Sequence, residues 1–479
     1  MSAVPYTSIR VPGGCQPRVE DGLARIRREL DLPEKFPRAV AEEAEWVARV
    51  PRMPVLDRTD LPLVTIDPPG SMDLDQALHL VERPGGYRVW YAIADVGAFV
   101  RPGGRMDAEA RLRGETVYLP DGRVPLHPPV LSEGAASLLP GVVRPAALWC
   151  VDLDADGLVV GADVVRARVR SRERLDYDYV QAAVETGTAE GPLRLLAEIG
   201  ALRLALERSR GGVTLPVPEQ EVVADGEGGY RVELRTPLAA EEWNAQISLL
   251  VGMAAAAMML DAEIGLLRVL PPAPDAVVGR VRRTAAALDV PWPEDASYGD
   301  VVRSLDPRVP RHAAFLAEST ALLRGAGYTA FNGAPPALAE HAAVGAPYAH
   351  VTAPLRRLAD RYATEVCLAV AAGEPVPEEV LRVLPELPDL MRASGRRAGT
   401  ARRACVDLVE AFVLRERVGR TFDAVVIDTD EDGSGGEVQL TDPPVVARCD
   451  GEHLPLGEAV RVRLTRADPA TRQVRFALA

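Results

Sequence analysis

The residues of this chain best suited to chemistry lie in one short segment, Val64-Thr65-Ile66-Asp67-Pro68-Pro69-Gly70-Ser71-Met72-Asp73-Leu74-Asp75-Gln76-Ala77. An apolar run delivers Asp67, and Pro-Pro-Gly then breaks regular structure. Asp73 and Asp75 follow two apart, which puts them on one face of an extended stretch. A strand end and a tight loop can bring all three carboxylates together. So placed, they repel unless a hard cation sits among them, and oxygen-ligated Mg²⁺, or Mn²⁺ in its place, is the expected ion. Two such ions about 4 Å apart would activate a water and stabilise the leaving oxygen in phosphodiester hydrolysis. The same residues also suit a solvated acidic turn, because Asp is common in turns of every kind. The segment alone leaves both readings open.

The hydrophobic pattern predicts the elements that must position these residues. Residues 1–52 read as a helical lead, with helices at 20–30 and 37–50 separated by Asp31-Leu32-Pro33. Short apolar runs cut by Pro and Gly then predict strands at 63–66, 87–93, 146–153 and 164–169. Turn residues at 82–87 and at Asp154-Ala155-Asp156-Gly157 join such strands. Helical periodicity predicts helices at 192–208, 241–264, 275–288, 310–323, 355–371 and 377–418. Strand texture returns at 421–428, 436–440, 459–464 and 473–477, and such a stretch suits a small barrel of the OB type. The expected class is α+β: a helical segment 1–52, a large mixed domain 53–417 and a barrel 418–479.

Composition narrows the function classes. With 479 residues, 47% of them hydrophobic, the chain can bury a sizeable core, which excludes a disordered chain or a small disulfide scaffold. The five cysteines, Cys15, Cys150, Cys367, Cys405 and Cys449, are scattered and form no C-x-x-C pair. A reducing compartment, the cytoplasm, is expected. The N-terminus lacks the pattern of a signal peptide. The most apolar stretch, 247–260, falls short of the roughly twenty residues of a membrane span, so it reads as a buried helix and no membrane association is expected. His79, His127, His312, His341, His350 and His453 form no zinc spacing. A net charge of −14 argues against a general nucleic-acid coat, so any polyanion site must concentrate positive charge locally.

With its flanks, the acidic segment resembles the signature of the ribonuclease II family, the RNB catalytic domain. There Thr-Ile-Asp is followed at fixed spacing by three further aspartates. Asp67, Asp73 and Asp75 match the first three, and Gln76 stands at the fourth place. Further blocks match in family order. They are Tyr91-Ala92-Ile93-Ala94-Asp95-Val96, Thr116-Val117-Tyr118-Leu119-Pro120, Val124-Pro125-Leu126-His127-Pro128, a segment ending at Tyr177, and Tyr348-Ala349-His350-Val351-Thr352-Ala353-Pro354-Leu355-Arg356-Arg357 on to Asp360. The similarity runs from 58 to about 407, and 418–479 occupies the place of the family's RNA-binding S1 domain.

The resemblance implies Mg²⁺-dependent, two-metal hydrolysis of single-stranded RNA from its 3′ end, releasing nucleoside 5′-monophosphates. By position it implies Asp67, Asp73, Asp75 and Gln76 as metal ligands, and Asp73, Asp75 and Arg356 as the catalytic group. It implies Arg357 as a helper at the phosphate. Tyr118 matches a tyrosine that stacks at the far end of the bound nucleotides, and Tyr177 one near the 3′-terminal nucleotide. Arginine suits the phosphate role because it binds oxygen pairs bidentately, and aromatic faces stack bases of any sequence. A monomer is expected, with Arg392, Arg396-Arg397 and Arg402-Arg403 supplying local positive charge. The N-terminal lead is too short for the two cold-shock domains of longer members.

Three departures stand out: Gln76, Arg402 where the family has a glutamate, and Ser248 where asparagine is usual. They keep a second reading open, a weakened or inactive RNA-binding protein of the same fold. A third, a small-molecule phosphodiesterase, is disfavoured by the tyrosines and the barrel.

Overall fold

The computed structural model describes residues 8–10, 16–213, 219–224, 230–235, 237–306, 309–430, 432–441 and 445–479. Its centre is a closed five-stranded barrel built from Leu63–Ile66, Gln76–Arg83, Gly86–Ala94, Val143–Asp154 and Val159–Leu175, neighbours in that order. The first strand closes the ring by pairing in parallel with the last, Ile66 opposite Leu175. Both expected turns occur between antiparallel partners: the Pro-Gly-Gly turn joins the second and third strands, and the Asp154 to Gly157 turn the fourth and fifth. Alternation along these strands puts Leu78, Leu80, Tyr91, Ile93, Trp149 and Val164 on one face, in a buried core that they share with Leu196, Ile247 and Leu250 of the helices.

Helices cover the barrel. The helix Ala239–Asp261 is long and apolar enough to cross a bilayer, but it packs against Pro192–Ser209 and Leu358–Ala372, and 56% of its most apolar window is buried inside the chain. Gly252 on this helix lets the Tyr348 ring lie across it, since a Cβ there would sit 2.2 Å from the ring. The helix stops at Asp261, short of the expected 264, because Glu263 adopts φ +55° and turns the chain into the strand Ile264–Val269. The expected helix 377–418 is four pieces, Glu378–Val383, the 3₁₀ turn Leu384–Glu386, Leu387–Leu414 and a closing 3₁₀ turn Arg415–Arg417. Pro385 and Pro388 lack the N–H that a continuous helix would need there.

The C-terminal strands Thr421–Thr429, Gly435–Leu440, Val446–Asp450, Ala459–Asp468 and Gln473–Leu478 close a second barrel, with the third and fifth strands parallel. This is the expected five-stranded OB-type arrangement. It does not hang from the chain as a separate bead. Val19, Leu23 and Ile26 of the helix Gln16–Glu29, Leu408 and Phe412 of the long helix, and Val438, Leu464 and Phe476 of the barrel form one core. Val117, Leu119 and Val124 of a small hairpin, Val117–Leu119 with Gly122–Val124, belong to the same core.

One buried cation ties the N-terminal segment to this body. Arg113, 2% exposed, donates to Glu109 at 2.8 Å, to Pro125 O at 2.9 Å and to Lys35 O at 2.9 Å, and stacks 3.6 Å over Phe36. Arg113→Met leaves Glu109 with an uncompensated buried charge, and we expect a loss of about 3–5 kcal/mol in urea unfolding. A midpoint equal to that of the wild type would refute this assignment.

Candidate active site

The first barrel holds the acidic loop at both ends. Asp67 follows the strand Leu63–Ile66, and its N–H donates to Leu175 O at 3.1 Å. Gly70, at φ +82°, lets the chain turn back. The Ser137 hydroxyl then clamps the returning limb, donating to Met72 O at 2.6 Å and accepting from Leu74 N–H at 3.0 Å. Strand pairing resumes as Asp75 O accepts from Ala94 N–H at 2.8 Å. The pleat consequently sends Asp75 and Gln76 to opposite faces.

Asp75, 3% exposed, is the buried centre of the site. Its Oδ1 accepts from Leu355 N–H at 2.7 Å, and its Oδ2 lies 3.4 Å from Arg356 Nε. Burial pushes its carboxyl up to about 8, against the pull of Arg356 and the Leu355 N–H. Burial likewise raises Asp67 to about 6, opposed by Arg356 and Arg174 and reinforced by Asp73. Asp67 Oδ2 is buried without a hydrogen-bond partner.

Arg356 and Arg357 do not sit on a helix as expected; the helix begins at Leu358. Asp360 explains the difference. Its Oδ1 accepts from Ala353 N–H at 2.7 Å, and it grips the Arg357 guanidinium from both oxygens, one of them 2.8 Å from Nη2. This holds 353–357 as a turn. Arg357 is thereby committed to Asp360, whereas Arg356 keeps a half-exposed side chain beside Asp75.

The structure does not gather the four expected metal ligands. Asp73 turns to Arg123 Nη1 at 2.8 Å and accepts from the Tyr118 hydroxyl at 2.9 Å. Gln76 Oε1 accepts from the Tyr91 hydroxyl at 2.7 Å, and Ser248 Oγ lies 2.6 Å from the Tyr91 oxygen. Among the described residues no three acidic, histidine or cysteine side chains form a ready-made metal group. Two residues do fit the implied hard cation. Asp67 offers an orphaned buried oxygen, and Asp75 a carboxylate that burial disfavours as an ion. A divalent ion would relieve both.

Tyr118 also departs from expectation. Rather than marking a distant end of the site, its hydroxyl touches the acidic cluster, while its ring stays 49% exposed. Tyr177 opens the helix Tyr177–Glu185, whose N-cap Asp176 accepts from Tyr179 N–H. Its hydroxyl accepts from Asn244 Nδ2 at 3.2 Å, and the charges of Asp67 and Arg356 both bear on it. Of the histidines nearest in sequence, His350 is bound to the Tyr328 hydroxyl at 2.6 Å, and His79 stands opposite Trp90 on the barrel.

Sequence reasoning missed Arg123, Arg174 and Tyr91. Arg123 was legible in principle: in the hairpin it is the direct cross-strand partner of Tyr118, so the two must share a face. Positive charge gathers beside the long helix, where a cavity of about 400 Å³ is lined by Arg268, Tyr328, Arg392, Arg396 and Arg403. Arg402 is exposed on the same helix. The two aromatics of the C-terminal barrel pack on each other at 5.9 Å, with Phe476 fully buried, and Arg448, Arg461, Arg466 and Arg475 are paired with aspartates.

Comparison with known proteins accords with this layout. The RNB domain matches residues 56–371, and the RNase II-type exonuclease C-terminal S1 domain matches 420–479. Ribonuclease R of Escherichia coli is 27% identical over 508 aligned residues, covering 94% of this chain and 61% of that protein. The chain thus spans about three-fifths of that relative's length. Among solved structures, Mycoplasma genitalium RNase R in complex with ribose methylated single-stranded RNA superposes with a TM-score of 0.83 at 18% identity, over 96% of this chain and 78% of that one. Yeast Ssd1, described as a pseudonuclease, superposes with a TM-score of 0.70 at 17% identity, over 93% of this chain and 57% of that one. With two-thirds of its length matched by one domain and the S1 domain following in order, the chain belongs to the RNB-domain family.

Proposed function

We propose that this chain is a divalent-cation-dependent 3′→5′ exoribonuclease that hydrolyses single-stranded RNA to nucleoside 5′-monophosphates. The observation that carries this reading is Asp75, buried against Leu355 N–H and beside the half-exposed Arg356. Asp67 and Asp75 would hold the ion, which supplies Lewis-acid polarisation of the phosphoryl group. Arg356 is free to turn a guanidinium edge toward phosphate oxygens, and its charge is strongest where water is excluded. The exposed Tyr118 ring and the Tyr177 ring offer faces for the terminal bases. The arginine-lined cavity offers upstream phosphates a landing site that the −14 charge elsewhere does not. Single-stranded RNA is the proposed partner. The four described cysteines are all unpaired, which supports a reducing, cytoplasmic location.

A second reading, RNA binding without turnover, draws on one specific observation. Asp73 and Gln76 are both committed to protein donors. The pseudonuclease among the structural neighbours has the same fold.

A 5′-labelled single-stranded RNA with Mg²⁺ separates the two. The wild type should shorten it from the 3′ end, and Asp75→Asn and Arg356→Ala should each slow this by roughly 10²-fold or more. Intact RNA retained equally by all three proteins would leave the binder.

Proton linkage adds a test that needs no substrate. The Asp75 carboxyl titrates near 8 folded, against about 4 unfolded. The folded chain therefore binds the extra proton between those values, and metal-free stability falls as pH rises through them. Asp75→Asn removes that loss. In EDTA its unfolding free energy, read from urea titrations, should rise relative to wild type from pH 5 to 8, by at most about 1.4 kcal/mol per pH unit. An unfolding free energy with the same pH dependence in both proteins would contradict the buried-carboxyl assignment.

A further inference from the structure

The two side chains missing from the metal group are not merely absent; protein donors occupy them. Both Asp73 oxygens are taken, Oδ1 by Arg123 Nη1 at 2.8 Å and Oδ2 by the Tyr118 hydroxyl at 2.9 Å. Arg123 is itself fixed from the other side, with Nη2 2.7 Å from Glu133 Oε1. Its side chain is 26% exposed and that of Asp73 13%, so the pair is largely shielded from solvent. The hairpin enforces this geometry. Val117, Leu119 and Val124 point into the core, so their neighbours Tyr118 and Arg123, paired across the strands, must project together onto Asp73. On the other face of the neighbouring strand, the buried Tyr91 hydroxyl and Ser248 hold the Gln76 amide oxygen.

Charge counting agrees. The carboxylates Asp67, Asp73, Asp75 and Glu133 face the guanidiniums Arg123, Arg174 and Arg356, leaving one formal negative charge. One divalent ion turns that into a single positive charge, the complement of one phosphodiester. Two would leave a threefold excess.

We propose that the Arg123 guanidinium stands in for a second metal ion, so that the site takes a single divalent cation, on Asp67 and Asp75. Arg123 is then a positioning residue: it neutralises Asp73 permanently and holds it, with Tyr118, at the edge of the site. This rests on the metal-dependent reading above and narrows it to one ion.

The test uses Mn²⁺ alone with the full chain, counted by electron paramagnetic resonance. The Asp67→Asn/Asp75→Asn variant serves as the blank for ions on the acidic surface. The wild type should bind one Mn²⁺ above that blank and give an uncoupled spectrum. Two ions above the blank, or a spin-coupled pair, would overturn the inference while leaving metal dependence intact. No ion above the blank would overturn the metal-dependent reading itself, and this inference with it. The double variant Arg123→Ala/Gln76→Asp, checked for folding by its melting curve, should gain a second, spin-coupled ion. Arg123→Lys, which keeps the cation, should stay at one. A folded double variant that still binds one ion, or a lysine variant that binds two, would remove Arg123 from the role.

Discussion

The site depends on one contact, the buried Asp75 carboxylate accepting from Leu355 N–H, which joins residues 280 apart in sequence. A carboxylate with so little solvent is costly unless donors or cations face it. The chain therefore supplies a backbone N–H from one segment and the Arg356 guanidinium from the next residue. For both to arrive together, 353–357 must be a turn rather than the first turn of a helix. Asp360 pins that turn, and two backbone bonds, Thr116 N–H to Arg356 O and Leu358 N–H to Gly114 O, tie it to the loop leading into the Tyr118 hairpin. Gly114, at φ +75°, is needed there, because a Cβ would meet the Ser394 side chain at 2.4 Å.

Through that hairpin the acidic cluster is coupled to both ends of the chain. The hairpin's inner face lies in the core shared by the N-terminal helix, the long helix and the C-terminal barrel. Its turn is held by Arg27, which forms a two-pronged pair with Asp121 at 2.6 and 2.9 Å. The second barrel thus braces the strand pair that carries Tyr118 and Arg123. Four of its arginines are paired with aspartates while Arg420 and Arg463 stay exposed, so its packing gives it a bracing role beside whatever its surface binds.

Much of this was legible in the sequence, and the gaps have physical causes. The barrel strands at 63–66, 87–93, 146–153 and 164–169 and the helices at 192–208 and 275–288 were readable because their periodicity is uninterrupted. Gln76–Arg83 was not, because an aspartate-rich loop runs directly into it and its buried residues 77, 78 and 80 do not alternate strictly. The Val117–Leu119 hairpin is too short for a pattern to register. The membership of Asp67, Asp75 and Arg356 in one site was readable from the family resemblance. That Asp73 would turn aside was not, since its partner Arg123 lies 50 residues away. A salt bridge at that separation leaves no periodic trace.

The neutral Gln76 then has a consistent physical reading. An aspartate facing the Tyr91 and Ser248 hydroxyls would bury another charge beside Asp67, whose charge already bears on Tyr91 and whose own ionisation burial resists. An amide oxygen can accept the Tyr91 hydroxyl without that cost, and Tyr91 is fully buried and needs such an acceptor. The substitution at 76 and the guanidinium on Asp73 act in the same direction. Each lowers the negative charge that would otherwise call for a second cation, one by removing a carboxylate and the other by neutralising one. A chain that makes both changes while keeping Asp67, Asp75 and Arg356 together has altered the charge of its site without dismantling the contact on which the site is built.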